Sequence, residues 1–261
     1  MRTKRICVIV VASIASLASS GVLHADEVQV MATRALASTV IGLVGEFEKT
    51  TGHKVRILAA ATGVGPESIP SRVRRGDEVD LIILGSENIE ALTKEGHILQ
   101  GSRTDLARSG IGMAIRAGAK RPNIETVDAL RATLVEARSV AYSALASGQY
   151  ISTTLVNRLG IAEQFQTKAR PVLGEAVADV VARGDAEIGF QQTSELLGMR
   201  GVDYIGALPA EVQVITVMSA GIGTTGRAQA AARAFITLIT SPGGQAAMKA
   251  NGLDPLVATR R

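Results

Sequence analysis

Between Glu27 and Lys94 the chain repeats one pattern three times: a short β-branched run, a loop of small residues, then a helical period. Glu27–Ala32 alternates as a strand and Lys54–Ala60 follows suit, whereas Val79–Gly85 (V-D-L-I-I-L-G) is apolar almost throughout. Such a run needs cover on both faces, the situation of a strand inside a parallel sheet flanked by helices. Helical spacing is read at Thr39–Thr50, where Val40, Leu43, Val44 and Phe47 share a face and Gly52 is the stop, then at Ile69–Arg75 and Asn88–Lys94. The alternation predicts an α/β fold. Ligands in these sheets sit beyond the carboxyl ends of the strands. Those ends are Thr33–Ala35, Ala61–Gly65 and Gly85–Glu87, which makes Thr33, Thr62 and Ser86 expected ligand contacts.

Further on, Gly110–Arg116 reads as a strand, Ala117–Asn123 as a polar connection and Val127–Ala137 as a helix. The stretch Ser139–Tyr150 (S-V-A-Y-S-A-L-A-S-G-Q-Y) reads as a strand, a small polar loop, and a helix beginning near Ser147 with Ile151, Leu155 and Leu159 on one face. A strand feeding a helix through a Ser/Gly loop leaves unpaired N–H groups and the positive end of a helix dipole, which suits an anion. An ordinary N-cap at Ser147 fits the same letters. Strands follow at Ala169–Leu173, Glu187–Gln191, Val202–Leu208 and Val212–Ala220, with helices at Glu175–Arg183 and Arg227–Thr240.

The first 25 residues carry Arg2, Lys4 and Arg5, an apolar run to Val22, and a Leu23-His24-Ala25 cleavage signal. They read as a secretory signal peptide cleaved after Ala25, which places the protein in the periplasm. Cys7, the single cysteine, lies within it, so disulfides and thiol chemistry are excluded for the remainder. Two histidines remain, His53 and His97, too few for a multi-histidine metal site, and no metal or cofactor is expected. Three cations of the +4 charge lie in the leader, and aromatics are 3% with no Trp, which argues against nucleic acid as a partner. No second amphipathic face calls for an obligate dimer, so a monomer is expected.

No nucleophile–base–orienter pattern stands out, and G-x-S-x-G is absent. Arg72, Arg74 and Arg75 read as a solvated helix end. Arg34 differs: a guanidinium in the small-residue loop Thr33–Ser38, after the first strand, is placed for a carboxylate, or for a salt bridge to a local acid. Gln191 and Gln192 follow a strand and face either solvent or a cleft.

Taken together, V-x-V-x-A at Val28–Ala32, F-E-K-T-T-G at Phe47–Gly52, D-L-I-I at Asp80–Ile83, K-E-G-H-I at Lys94–Ile98, A-S-G-Q-Y at Ala146–Tyr150 and A-R-G-D-A-E-I-G at Ala182–Gly189 resemble the periplasmic molybdate-binding family. This group comprises type II solute-binding proteins of ABC importers. The resemblance covers the whole chain after the leader. It implies a periplasmic-binding-protein-like type II fold, two α/β lobes with a central ligand cleft: residues 26–106 and 209–261 in one lobe, 107–208 in the other. It also implies an ABC permease as partner. The family's hydroxyl ligands fall on Ala35, on Thr62 or Gly63, and on Gln192, whereas its backbone donors fall on Ser147 and Gly174. Bacterial aconitate isomerases, exported proteins of the same fold, share S-V-A-Y-S-x-x-A-S-G-x-Y, I-P-x-R at Ile69–Arg72 and A-R-G-x-A-x-x-G-F-Q-Q-x-S-E-L at Ala182–Leu196.

The leading expectation is capture of a small di- or tricarboxylate. Arg34 would pair with one carboxylate and backbone near Thr62, Ser147 and Gly174 would hold another, with Ser143, Tyr150 and Gln192 setting specificity. The alternatives are interconversion of cis- and trans-aconitate, with Tyr150, Glu87 and Glu175 as candidate bases, and molybdate or tungstate binding.

Overall fold

The computed structural model describes residues 25–58 and 65–256. The leader and Thr62 lie outside the described residues. The strands are β1 (Glu27–Ala32), β2 (Lys54–Ile57), β3 (Leu81–Gly85), β4 (Thr104–Ser109), β5 (Ile111–Arg116), β6 (Val140–Ser143), β7 (Ala169–Val172), β8 (Ile188–Gln192), β9 (Val202–Ala207), β10 (Thr216–Ile222) and β11 (Asp254–Pro255). They form two sheets, ordered β11-β4-β10-β3-β1-β2 and β7-β6-β8-β5-β9. The chain passes from the first sheet to the second at Gly110, between β4 and β5, and returns through 208–215, between β9 and β10.

The sheets are mixed. β1 runs parallel to β2 and β3, and β6 runs parallel to β7 and β8. The strands that flank the crossings, β4 with β10 and β5 with β8 and β9, pair antiparallel. Strand–helix alternation in sequence marks only the parallel part; a strand that enters a sheet by crossing from another lobe leaves no such trace.

The apolar run of β3 is divided between two cores. Leu81 and Ile83 face helix α1 (Arg34–Thr51), whose Leu36, Val40, Leu43 and Phe47 form the inner stripe. Ile82 and Leu84 face Ile69 and Val73 of α2 (Ile69–Arg75) and Ile89 and Leu92 of α3 (Ser86–Lys94). Burying each such side chain stabilises by about 1.5–3 kcal/mol. The second sheet is likewise double-sided: Met113, Val140 and Phe190 pack under Leu130, Leu155 and Phe165, while Ala114 and Ala141 lie against Val177 and Val181.

Helix α1 begins earlier than expected. The stretch Thr33–Ser38 is not a loop: Thr33 is the N-cap and Arg34 the first helical residue. Leu36 extends the stripe of Val40, Leu43 and Phe47 by one turn, which is why the helix starts there. The strand expected at Val212–Ala220 is confined to Thr216–Ile222, and Ala210–Val212 is a 3₁₀ turn in the crossing segment. After β6 a helix starts at Ala146, with Leu145 and not Ser147 as its N-cap, and continues from Tyr150 to Leu155 as a π-helix.

Gly148 holds this turn against the end of β6. A Cβ there would overlap the carbonyl oxygen of Ser143, a backbone atom with no room to yield. Gly148→Ala is expected to cost about 3 kcal/mol, as overpacking does, and to lower Tm by about 6–12 °C, readable by calorimetry. A change under about 2 °C would mean that the turn is loose.

Candidate functional site

A cavity of about 440 Å³ opens between the lobes. From the first sheet it takes the ends of β1 and β3 (Thr33, Gly85); from the second, the ends of β6 and β8 (Ala144–Ser147, Gln192); Thr216 and Met218 come from the start of β10. It therefore occupies the position where carboxyl ends of parallel strands meet.

Four helix N-termini open on it, among the described residues. They are α1 through Thr33, α2 through Ser68–Ser71, α3 through Gly85 and Glu87, and the helix after β6 through Leu145–Ser147. Thr33 and Gly85 make no side-chain cap; in α1 the Leu36 amide donates to the Thr33 carbonyl at 3.1 Å. Each helix end adds a partial positive charge, and the sum makes the cavity receptive to anions.

Of the residues expected at a site, Thr33, Ser147, Gln192 and Glu87 line the cavity. Arg34, Ser86, Ser143, Tyr150, Gly174 and Glu175 are not among its lining residues. Ser143 is buried, and its Oγ accepts from the Leu145 amide at 3.2 Å, shaping the turn. The Tyr150 hydroxyl donates to the Val212 carbonyl at 2.7 Å, tying the helix to the crossing segment. Gly174 adopts a left-handed conformation, φ 78°, in an exposed turn. Glu175 forms a two-pronged ion pair with Arg183, at 2.8 and 3.2 Å, which holds its carboxyl below the usual range. That carboxylate is a poor base and faces solvent. Gln192 sits at the crossings: its amide meets Thr216 Oγ1 at 3.0 Å and, with nitrogen and oxygen exchanged, also donates to Ser109 Oγ at 2.7 Å. Gln213 clasps the two crossings together, accepting from the Ile111 amide at 2.8 Å and donating to its carbonyl at 2.9 Å.

Sequence reading missed Ser68, Ser71, Asn88, Gln149 and Glu195, all of which line the cavity. Arg74, read as part of a solvated helix end, reaches the rim and pairs with Glu95 at 2.7 and 2.9 Å. The S-x-x-S step at Ser68, just before Ile69-Pro70, was a readable N-cap; Ser68 Oγ does accept from the Ser71 amide. Glu195 had no such local signal; it stood only within the Q-Q-x-S-E-L stretch that resembles aconitate isomerases.

Glu195 is the most consequential of these. It sits in a helical turn, Thr193–Leu196, at the end of β8, with its side chain only 2% exposed. Its Oε2 accepts from Gln191 Nε2, whose own Oε1 is held by the Val177 amide at 3.1 Å. Across the lobe junction, Arg34 Nε lies 3.8 Å from the same oxygen. That is close enough for attraction and too far for a hydrogen bond, and Nε is a buried donor without a partner. Burial pushes the Glu195 carboxyl up to about 7, against the opposing pull of the Arg34 charge and the Gln191 hydrogen bond. Arg34 thus has the local acid that the sequence left open, on the other lobe.

This raised value has a consequence for stability. A carboxyl whose folded value lies above its unfolded one favours folding fully below the ordinary carboxylate range, and that contribution is lost as pH rises towards 7. Arg34 is the charged group facing it. Glu195→Gln should therefore gain stability relative to the parent between about pH 5 and pH 8, by about 3 kcal/mol at most, in denaturant unfolding curves. A difference that does not vary with pH would place Glu195 at an ordinary value.

Two α/β lobes, double crossings and an anion-receptive cleft at the strand ends define a periplasmic-binding-protein fold of type II. The chain belongs to the bacterial extracellular solute-binding protein family, whose model matches residues 28–254. It is 37% identical over 246 residues to an aconitate isomerase of a Pseudomonas species, covering 93% of this chain and 94% of that one. It is 28% identical over 240 residues to the molybdate-binding protein ModA of Azotobacter vinelandii, covering 88% and 90%. The solved periplasmic molybdate-binding protein of Azotobacter vinelandii superposes with a TM-score of 0.70 at 21% identity, over 87% of this chain and 98% of that one.

Proposed function

We propose that the protein is exported to the periplasm, binds a small tricarboxylate in the interlobe cavity and interconverts cis- and trans-aconitate. The observation that carries this reading is the cavity itself: helix N-termini converge on it while a buried guanidinium Nε beside it lacks a partner. Arg34 supplies a fixed cation for one carboxylate, and the uncapped turns at Thr33 and Gly85 supply N–H donors for others. Ser147 and Gln192, on the opposite lobe, complete the enclosure. The likeness to an aconitate isomerase over nearly the whole of both chains supports the choice of ligand and of reaction.

A second reading, capture of the same carboxylate for an ABC permease without turnover, is favoured by the family match. Molybdate suits the site less well. Ala35, at the position of a family hydroxyl, is buried in the α1 core, and Gln192 carries an amide engaged at the crossings.

Incubation of the purified protein with cis-aconitate, followed by chromatography of the trans isomer, separates the two readings. Formation of the trans isomer is expected; tight binding without it would leave capture alone. Thermal shifts rank the ligands. Aconitate at 100 times its Kd should add about 2.7 kcal/mol, and a shift with molybdate but none with carboxylates would overturn the tricarboxylate assignment.

A further inference from the structure

The isomerisation needs a base, and none of the three residues expected from sequence is well placed for it. Tyr150 has its hydroxyl proton committed to Val212, Glu175 is bound to Arg183 away from the cavity, and Glu87 stands in solvent on the first turn of α3. We infer that Glu195 is the catalytic base of this protein, moving the allylic proton of aconitate with its free oxygen, Oε1, while Oε2 is held by Gln191 and faced by Arg34. The inference rests on the reading of the protein as an aconitate isomerase.

The geometry assigns the two oxygens different tasks. Oε2 has the Gln191 amide and the Arg34 guanidinium as neighbours. Oε1 has no hydrogen bond among the described residues, and Glu195 is part of the cavity wall. A carboxylate with one oxygen anchored and the other without a hydrogen-bond partner is oriented without being satisfied, which suits proton transfer to carbon. The buried setting that raises its proton affinity adds to this, because a carboxylate at its ordinary value would be a weaker base.

The step balances with no other reactant. Glu195 takes one proton from the methylene carbon of aconitate, and the electron pair of that C–H bond spreads over the three-carbon allyl unit and its flanking carboxylates. The Glu195 acid then returns a proton, the abstracted one or one exchanged with solvent, to the former vinyl carbon. The double bond now joins the central carbon to the former methylene, and the rotamer held about that bond when the proton leaves decides cis or trans. Negative charge on the allyl unit is offset by Arg34 and by the helix N-termini.

The test uses proton NMR of cis- and trans-aconitate in D₂O with the full protein, its Glu195→Gln variant and its Glu195→Asp variant. Thermal shift with tricarballylate, the saturated analogue, reports binding in parallel. Glu195→Gln is expected to keep the tricarballylate shift and to slow both isomerisation and deuterium entry by about 10²–10⁴-fold. Glu195→Asp is expected to retain measurable turnover with a pH profile displaced from the parent's; it also reports if the Gln variant fails to fold. Turnover in Glu195→Gln within tenfold of the parent overturns the assignment and leaves the isomerase reading intact. Tricarballylate binding by a parent protein that neither isomerises nor exchanges overturns both the assignment and the reaction, and leaves capture.

Discussion

A carboxyl group buried at the junction of two lobes is costly to ionise, and Glu195 is such a group. Its cationic neighbour among the described residues, Arg34, belongs to the other lobe and stands beyond hydrogen-bond reach. The pair is therefore under-satisfied on both sides: a guanidinium nitrogen without an acceptor and a carboxylate oxygen without a donor. Breaking a fully hydrogen-bonded ion pair to admit a ligand would be expensive. An incomplete pair is cheaper to open, and an anionic ligand can complete it. The arrangement depends on the start of α1, where Thr33 lines the cavity and Arg34 faces Glu195, and on where β8 ends.

The electrostatics of the cavity follow from the fold as much as from the side chains. Two of its wall residues are acids, Glu87 and Glu195, and its one arginine, Arg74, is shared with Glu95. Judged by charged side chains alone, the wall would repel a polycarboxylate. The converging helix ends reverse that balance, since their N–H groups are fixed and need no reorientation when an anion arrives. Gly110 is a single-residue passage, and the return segment is held to it by Gln213 and to the Ser147 helix by Tyr150. Tyr150 and Gln192, expected from sequence to contact a ligand, also bond to the crossing segment and to the start of β10.

Much of the fold was legible because burial on two faces writes itself as an unbroken apolar run, as in Val79–Gly85, and because helix stripes repeat. The start of α1 was misread as a loop because its first turn is built of Thr33, Arg34, Ala35 and Ala37, small or polar letters that leave Leu36 alone to mark the inner face. Of the residues the strand-end rule marked, Thr33 lines the cavity and Ser86 does not; Ser147, marked by its Ser/Gly loop, and Gln192, marked by the family resemblance, line it as well. Glu195 lay within a motif shared with aconitate isomerases, yet nothing in the local letters marked it as buried. In S-E-L-L it reads as an acid on a helix surface, and only the approach of α1 from the far end of the chain buries it. Glu175 illustrates the converse: acid at a helix start, it looked like a site residue and is a surface partner of Arg183.

The direct test of the account is the crystal structure of the protein with tricarballylate, which cannot isomerise. One carboxylate should lie on the Arg34 guanidinium, with first-turn amides of α1 or α3 on another, and a methylene carbon about 3–3.5 Å from Glu195 Oε1. A ligand bound elsewhere in the cleft, with Arg34 still facing only Glu195 and no ligand carbon near Oε1, would contradict it.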